Sequence, residues 1–177
     1  MAARDNVAED MATKELVIER VFDAPRERVF DMFTQPEHLR KWWGPKRVSI
    51  TLAEFDARPG GKIFTAERSP DGAMNYIAGV VREIERPSRV VFAIHFADAD
   101  RRRVAPPAGT GLPATWTEEL VSSVTFTAEG RRTRVTIRTL SGFTAEWGKL
   151  ARLGWGESLD KLDEVIASLV DQRGRSR

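Results

Sequence analysis

The residues best suited to acid–base chemistry in this chain are two carboxylic acids and a phenol, Asp56, Glu67 and Tyr76. If these side chains point into the interior of the fold, they could exchange protons with a bound substrate. No fixed spacing links them, and the chain contains no GxSxG, HExxH or GxGxxG pattern. The sequence therefore predicts no catalytic residue, and an enzyme is an alternative interpretation.

The sequence contains few residues that could bind a metal or take part in redox chemistry. The chain has two histidines, His38 and His95, and no cysteine. The histidines are far apart and lack a nearby carboxylate pattern, which makes a poor metal site, and disulfides and thiolate sites are excluded. We predict neither a metal nor a cofactor. His95 alternates with phenylalanines, so it faces solvent or a partner subunit if they point inward, and a cavity if they do not.

Four tryptophans are candidates for the wall of a ligand pocket. Trp42 and Trp43 end a predicted short helix, where they could line a pocket or pack in the core. Trp147 and Trp155 flank a glycine-containing stretch, where they could line the entrance of a cavity. Trp155 is also the first apolar residue of a helical stripe, so core packing is its alternative role.

The charge pattern argues against nucleic acid as a partner. The net charge is +2, 31% of the residues are charged, and acidic and basic residues are interspersed along the chain. The basic clusters, 101–103 and 131–132, are short, whereas a nucleic-acid binder normally presents a wider basic face. The run 101–103 could attract an acidic ligand, although such a run is more often simply solvated.

Alternating, β-branched segments bounded by turn residues predict seven strands. Their expected ranges are 14–22, 48–55, 62–68, 74–85, 89–96, 120–128 and 132–140. The third of the central strands, 74–85, is long enough to need a bend, which Gly79 could provide. Short connections between consecutive strands favour an antiparallel sheet.

Helices are predicted before and after these central strands. Pro25 and Pro36 suit the first turns of two short helices. Near the C-terminus, an apolar stripe at spacings of 4, 3, 4 and 3 predicts a long amphipathic helix. The stripe consists of Trp155, Leu159, Leu162, Ile166 and Leu169. Gly154 and Gly156 are poor helix residues, so 147–153 is expected to form a separate turn or a kink.

Four segments carry a family resemblance. They are FDAPRERVFDMFTQPEHLRKWWGP (22–45), RPGGKIF (58–64), GVVREIERPSRVVF (79–92) and GWGESLDKLDEVIA (154–167). In this order they resemble the START-like SRPBCC superfamily, and more narrowly its branch related to the activator of heat-shock protein 90 ATPase. The resemblance covers roughly residues 14–170.

The resemblance implies an α+β helix-grip fold, in which a curved antiparallel sheet of about seven strands surrounds a long C-terminal helix. We expect one domain over 14–170, with flexible tails at 1–13 and 171–177. The N-terminal tail is polar and lacks the apolar core of a signal peptide, and no run is long enough for a membrane span. A cytoplasmic location is the default expectation.

The leading functional hypothesis is the binding of a small, mostly apolar molecule between the sheet and the long helix. The candidate lining residues follow from strand alternation and from the helix stripe. They are Trp42, Trp43, Phe64, Tyr76, Phe92, Ile94, Phe126, Ile137, Trp155 and Leu159.

Two alternatives come from other functional classes. Related folds host cyclases and hydrolases, so two ionisable groups that meet in the cavity with shifted pKa values would favour an enzyme. The branch resemblance also implies a chaperone partner. However, the eukaryotic activators carry a separate N-terminal domain that contributes to chaperone binding, and only a short tail precedes the first strand here.

The segment 97–117 is unusually long for a connection between neighbouring strands. It contains several proline and glycine residues, and Leu112 and Trp116 are apolar residues in a polar stretch. The side chains of Leu112 and Trp116 are therefore expected to pack against another apolar surface. We expect this loop to act as a lid over the cavity or, alternatively, as the contact of a homodimer.

Overall fold

The computed structural model describes residues 14–141 and 144–174, which form one antiparallel sheet and three helices. The strands are β1 (Lys14–Phe22), β2 (Ser49–Phe55), β3 (Lys62–Arg68), β4 (Met74–Glu85), β5 (Arg89–Ala97), β6 (Leu120–Glu129) and β7 (Arg132–Ser141). The helices are α1 (Arg26–Thr34), α2 (Pro36–Trp42) and α3 (Ala145–Gly174). The predicted tail 1–13 and residues 175–177 lie outside the described residues.

The sheet has the strand order β1-β7-β6-β5-β4-β3-β2, and neighbouring strands are antiparallel. Consecutive strands from β2 to β7 are neighbours, as expected for short connections. The remaining strand, β1, pairs with β7 along its whole length, from Lys14 opposite Ser141 to Phe22 opposite Thr133. The predicted seven-stranded helix-grip architecture is confirmed.

One face of the sheet packs against α1, α2 and α3, and we call it the concave face. Phe126 lies at its centre, with its ring 5.2 Å from the rings of both Phe30 and Phe33 in edge-to-face contacts. Leu159 and Leu162 of α3 are almost completely buried against this layer. Aromatic and aliphatic side chains therefore fill the space beneath the middle of α3.

Helix α3 is continuous from Ala145 to Gly174, so the prediction of a separate turn at 147–153 is wrong. Gly148, Gly154 and Gly156 all lie within the helix, where each costs about 1 kcal/mol relative to alanine. Packing of the surrounding aromatic residues offsets this cost. The helix also continues to Gly174, past the expected domain end at residue 170.

The position of the bend in β4 differs from the expectation. The register shifts between Val81 and Glu83, so the bulge lies at Arg82 rather than at Gly79. Gly79 instead allows close approach of two strands, because a Cβ atom there would lie 2.2 Å from the carbonyl oxygen of Ala93. Within the described ranges, no helix combines the length and apolar character that crossing a bilayer requires.

Candidate ligand-binding site

A mostly apolar cleft of about 310 Å³ lies between the N-terminal half of α3, the turn after α2 and the ends of strands β3 to β6. We call it the outer cleft. Most of its lining side chains are apolar, and the polar ones are Glu67, Thr110 and Ser158. The apolar ones are Trp43, Pro45, Ile77, Ile94, Phe96, Leu120, Trp147, Leu150, Ala151 and Trp155.

A second, much smaller space lies deeper, and we call it the inner void. It holds about 20 Å³, which is room for about one water molecule. Trp43, Ile77 and Ile94 line both spaces and so form the wall between them. The interior of the helix grip is therefore largely filled, and the volume available to a ligand lies in the outer cleft.

Aromatic rings build the wall of the outer cleft. The ring of Trp43 lies edge-to-face against Trp155, with centroids 5.4 Å apart, and its centroid is 6.4 Å from that of Phe92. Trp42, by contrast, is fully buried and donates its indole N–H to the carbonyl oxygen of Met32 at 2.8 Å. The two adjacent tryptophans thus have different roles, one at the cleft and one in the core.

Glu67 is the one ionisable residue among those lining the outer cleft. It lies on β3, opposite Asn75 of β4, on the same face as Ile63 and Thr65. Burial raises the pKa of the Glu67 carboxyl, whereas the neighbouring indole of Trp43 and the charge of Lys161 act in the opposite direction. A partly desolvated carboxyl group therefore faces an otherwise mostly apolar space.

Lys161 of α3 holds the turn that carries Trp43. Its ammonium group donates to the carbonyl oxygens of Trp43 at 3.2 Å and Gly44 at 3.1 Å, with those of Pro45 and Val48 at 3.5 Å. Burial lowers the pKa of Lys161, and nearby carboxylates, of which Glu67 has the largest effect, raise it. Since an ammonium has three N–H groups, the turn occupies most of its donors.

The N-terminal end of α3 anchors the long loop before β6. Thr144 accepts a hydrogen bond from the backbone N–H of Trp147 at 3.1 Å and donates one to the carbonyl oxygen of Gly111 at 2.6 Å. Leu112 and Trp116 pack in the cluster around Trp147. The apolar residues of the loop therefore cover their own chain, next to the rim of the outer cleft.

The structure brings four of the ten predicted lining residues to these spaces. Trp43, Ile94 and Trp155 line the outer cleft, and Phe92 lines the inner void. Four others lie in the packed core rather than at a cavity, because the side chains beneath the middle of α3 interlock. These are Trp42, Phe126, Ile137 and Leu159.

The remaining two, Phe64 and Tyr76, lie on the face of the sheet opposite to the predicted one. They stack on each other at 5.9 Å and form a separate cluster with Leu52, Ala78 and Ala97 on the convex face. In β3, the side chains of Ile63, Thr65 and Glu67 face the helix. Side-chain alternation then sends Phe64 to the opposite face.

The other candidates for chemistry lie away from the outer cleft. Because the phenylalanine face of β5 points inward, His95 lies on the convex face, where burial and the nearby Arg103 lower its pKa. Asp56 forms an exposed ion pair with Arg58. Arg101 pairs with Glu54 and covers the ring of Phe64 at 4.4 Å. In the part of the chain that the structure describes, no three acidic or histidine side chains are grouped to hold a metal ion.

The sequence did not indicate Lys161, Ile77 or Thr110 as residues of the site. It indicated Glu67 as a possible acid–base residue but did not place it in the cleft. Lys161 has no local signal, because its role depends on carbonyl groups more than 110 residues away in the sequence. Glu67 did have one. It alternates with Ile63 and Thr65, so recognising Ile63 as inward-facing would also have placed Glu67 inward.

Comparison with known proteins agrees with this architecture. The family model described as Activator of Hsp90 ATPase homolog 1-like protein matches residues 23–167, which is most of the chain. Among curated proteins, no significant match was found.

Solved structures of similar fold come from several bacteria. The AHSA1 protein from Silicibacter pomeroyi superimposes with a TM-score of 0.72 at 22% identity, covering 87% of this chain and 98% of its own. A protein from Chromobacterium violaceum gives 0.70 at 25% identity, covering 85% and 95%. One from Mycobacterium smegmatis gives 0.68 at 26% identity, covering 88% and 91%.

Proposed function

Given that the chain belongs to the Activator of Hsp90 ATPase homolog 1-like family, we propose that it binds a small, mostly apolar molecule in the outer cleft. The observation that carries this proposal is the cleft itself. A space of about 310 Å³ lined mainly by aromatic and aliphatic side chains remains open next to a tightly filled core. Ligand sites are typically concave, mostly apolar and furnished with few polar groups.

The size of the cleft limits the ligand. Small-molecule sites commonly span about 300–1,000 Å³, and the outer cleft lies at the lower end of that range. Trp43, Ile77 and Ile94 close the route to the inner void. A compact molecule of one or two rings fits this space better than a long acyl chain does.

Two leucines on α3 provide a matched test. Leu150 lines the outer cleft and Leu153 does not, yet both are exposed, at 38% and 62% respectively. Titration with the neutral fluorophore N-phenyl-1-naphthylamine should show saturable binding to the wild type. Leu150→Asp should weaken binding about tenfold because it places a charge against the ligand, whereas Leu153→Asp should not change it. Absence of binding to the wild type, or equal binding to both variants, contradicts the proposal.

An enzyme acting on a molecule in the same cleft is the second candidate, and Glu67 is the observation that favours it. A carboxyl group with a raised pKa in an apolar site is suited to proton transfer. The nearby Lys161 is occupied by backbone carbonyls, so the two groups do not form a free acid–base pair. Turnover of aryl esters that disappears in Glu67→Gln while N-phenyl-1-naphthylamine still binds would establish this alternative. Absence of turnover in the wild type would exclude ester hydrolysis.

A further inference from the structure

We propose that Glu67 is the polar recognition point of the outer cleft and that the preferred ligand is a neutral apolar molecule with one hydrogen-bond donor, such as a hydroxyl group. This inference rests on the proposed function, because it names the chemical class of molecule that the cleft selects. Three features of the site support it.

The first feature is the hydrogen-bonding capacity of Glu67. An ionised carboxylate only accepts hydrogen bonds and has about four acceptor positions. The neighbouring indole of Trp43 acts on this carboxyl group and opposes the effect of burial on its pKa. Glu67 lines the outer cleft, so a molecule bound there meets its carboxyl group. A ligand group that pairs with an ionised carboxylate must be a donor.

The second feature is the local charge balance. The positive charge of Lys161 acts on Glu67 and lowers the pKa of its carboxyl group, although burial has the larger effect. A cationic ligand would gain attraction from Glu67 but meet repulsion from Lys161, and an anionic ligand would meet repulsion from Glu67 next to it. Either ion would also lose its hydration in an apolar space. A neutral donor avoids both costs.

The third feature is the apolar surroundings of Glu67. Ile77, Ile94 and Phe96 line the same cleft. A hydrogen bond is stronger where water is excluded, and an unsatisfied carboxylate there is costly. A ligand that lacks a donor would remove water from Glu67 without replacing it. The cleft should therefore reject such a molecule and not merely bind it without preference.

The test compares three probes of the same ring size at mildly alkaline pH. 2-Naphthol carries a neutral donor, 2-methoxynaphthalene lacks it, and 2-naphthylmethylammonium carries a positive charge. Dissociation constants come from quenching of tryptophan fluorescence, and the shift of the Trp43 indole N–H in ¹H–¹⁵N spectra locates the bound probe. Glu67→Gln is the test variant, and Glu37→Gln, exposed on α2, is its matched control.

We expect the wild type and Glu37→Gln to bind 2-naphthol about tenfold more tightly than the methyl ether, as expected for a hydrogen bond to a charged group. The ammonium probe should bind more weakly than 2-naphthol, and Glu67→Gln should reduce the preference for the hydroxyl to about twofold. Equal affinity for the two neutral probes, or tightest binding of the ammonium probe, would overturn this inference while leaving the proposed function intact. No binding of any probe to the wild type would overturn both.

Discussion

The ammonium group of Lys161 lies 3.2 Å from the carbonyl oxygen of Trp43, and this contact joins the long helix α3 to the turn that follows α2. Trp43 in turn separates the outer cleft from the inner void and lines the outer cleft together with Glu67. One lysine on the helix thus positions the residue that shapes the cleft. Substitutions in this group should change both the stability of the fold and the binding of a ligand.

Replacement of Lys161 by methionine should destabilise the protein by about 1–3 kcal/mol, because it leaves carbonyl groups of the 43–48 turn without their donor. Methionine preserves most of the length of the side chain, so packing changes little. Urea denaturation measures the effect. Lys41→Met, at an exposed position on α2, is the control and should stay within about 0.5 kcal/mol of the wild type. Equal stability of both variants would show that the turn does not depend on Lys161.

The stability difference between Glu67→Gln and the wild type should depend on pH. The pKa of Glu67 is raised above its usual value of 4.5 in the folded state, so ionised Glu67 favours unfolding. The wild type therefore loses stability as pH rises from that value through the raised pKa, whereas glutamine carries no charge and is unaffected.

Urea denaturation at about pH 4 and about pH 8 tests this sign. The free energy of unfolding of Glu67→Gln should increase relative to that of the wild type at the higher pH. The same experiment on Glu37→Gln provides a baseline for an exposed carboxyl group on α2. A difference that shrinks as pH rises would mean that the folded state favours the charged form of Glu67.

Two threonines on the concave face should respond in opposite ways to substitution by valine. The hydroxyl of Thr65 is buried beside the inner void and has no hydrogen-bond partner, so Thr65→Val should stabilise the protein by about 1 kcal/mol. The hydroxyl of Thr133 is also buried but donates to the carbonyl oxygen of Ala24 at 2.7 Å. Thr133→Val should therefore cost about 1–3 kcal/mol. Thermal and urea unfolding of both variants would reveal any departure from this pattern, such as a loss in Thr65→Val as large as in Thr133→Val.

The anchoring of the long loop can be tested at two of its glycines. Both have positive φ, +74° at Gly111 and +83° at Gly109, but a Cβ atom on Gly111 would lie 2.7 Å from the backbone nitrogen of Trp147, whereas one on Gly109 would meet no atom within 4 Å. Gly109→Ala should cost about 1–2 kcal/mol from backbone strain alone. Gly111→Ala should cost more, because the loop must move away from α3.

If the loop covers the rim of the outer cleft, Gly111→Ala should also release N-phenyl-1-naphthylamine faster than the wild type does in stopped-flow dilution. Gly109→Ala should keep the wild-type rate, because its substitution leaves the contact with Trp147 intact. Release rates that are unchanged in Gly111→Ala would argue that the loop is a structural connection and not a lid.

The sequence predicted the order and type of the elements well, because periodicity and turn residues are local signals. The strand β3 shows where such signals fail. Its inward face carries Ile63, Thr65 and Glu67, while its outward face carries Phe64. Hydrophobicity alone does not separate the two faces, because each has one large apolar side chain. Phe64 is covered on the convex side by Arg101 and Tyr76, which come from a loop and from another strand.

The continuity of α3 and the position of the cleft also depend on contacts between segments that are distant in the sequence. Gly154 lowers intrinsic helix propensity, yet the helix continues because Trp147 and Trp155 pack on either side of it. Likewise, Phe126 and Leu159 have the character of cavity-lining residues, but their contacts with neighbouring elements fill the space completely. The volume left open depends on how side chains from distant segments interlock, which one sequence does not specify.

The pairing of β1 with β7 has a consequence for how this chain folds during synthesis. The strand that leaves the ribosome before the other six has β7 as its sheet partner, and its Arg20 pairs with Asp160, 140 residues later in the sequence. Contacts between such distant residues form late, because a long segment must first be closed into a loop. Until β7 and α3 are available, β1 lacks a partner and the concave face lacks the long helix. Completion of the fold therefore waits for the C-terminal third of the domain, and until then the nascent sheet exposes apolar surface.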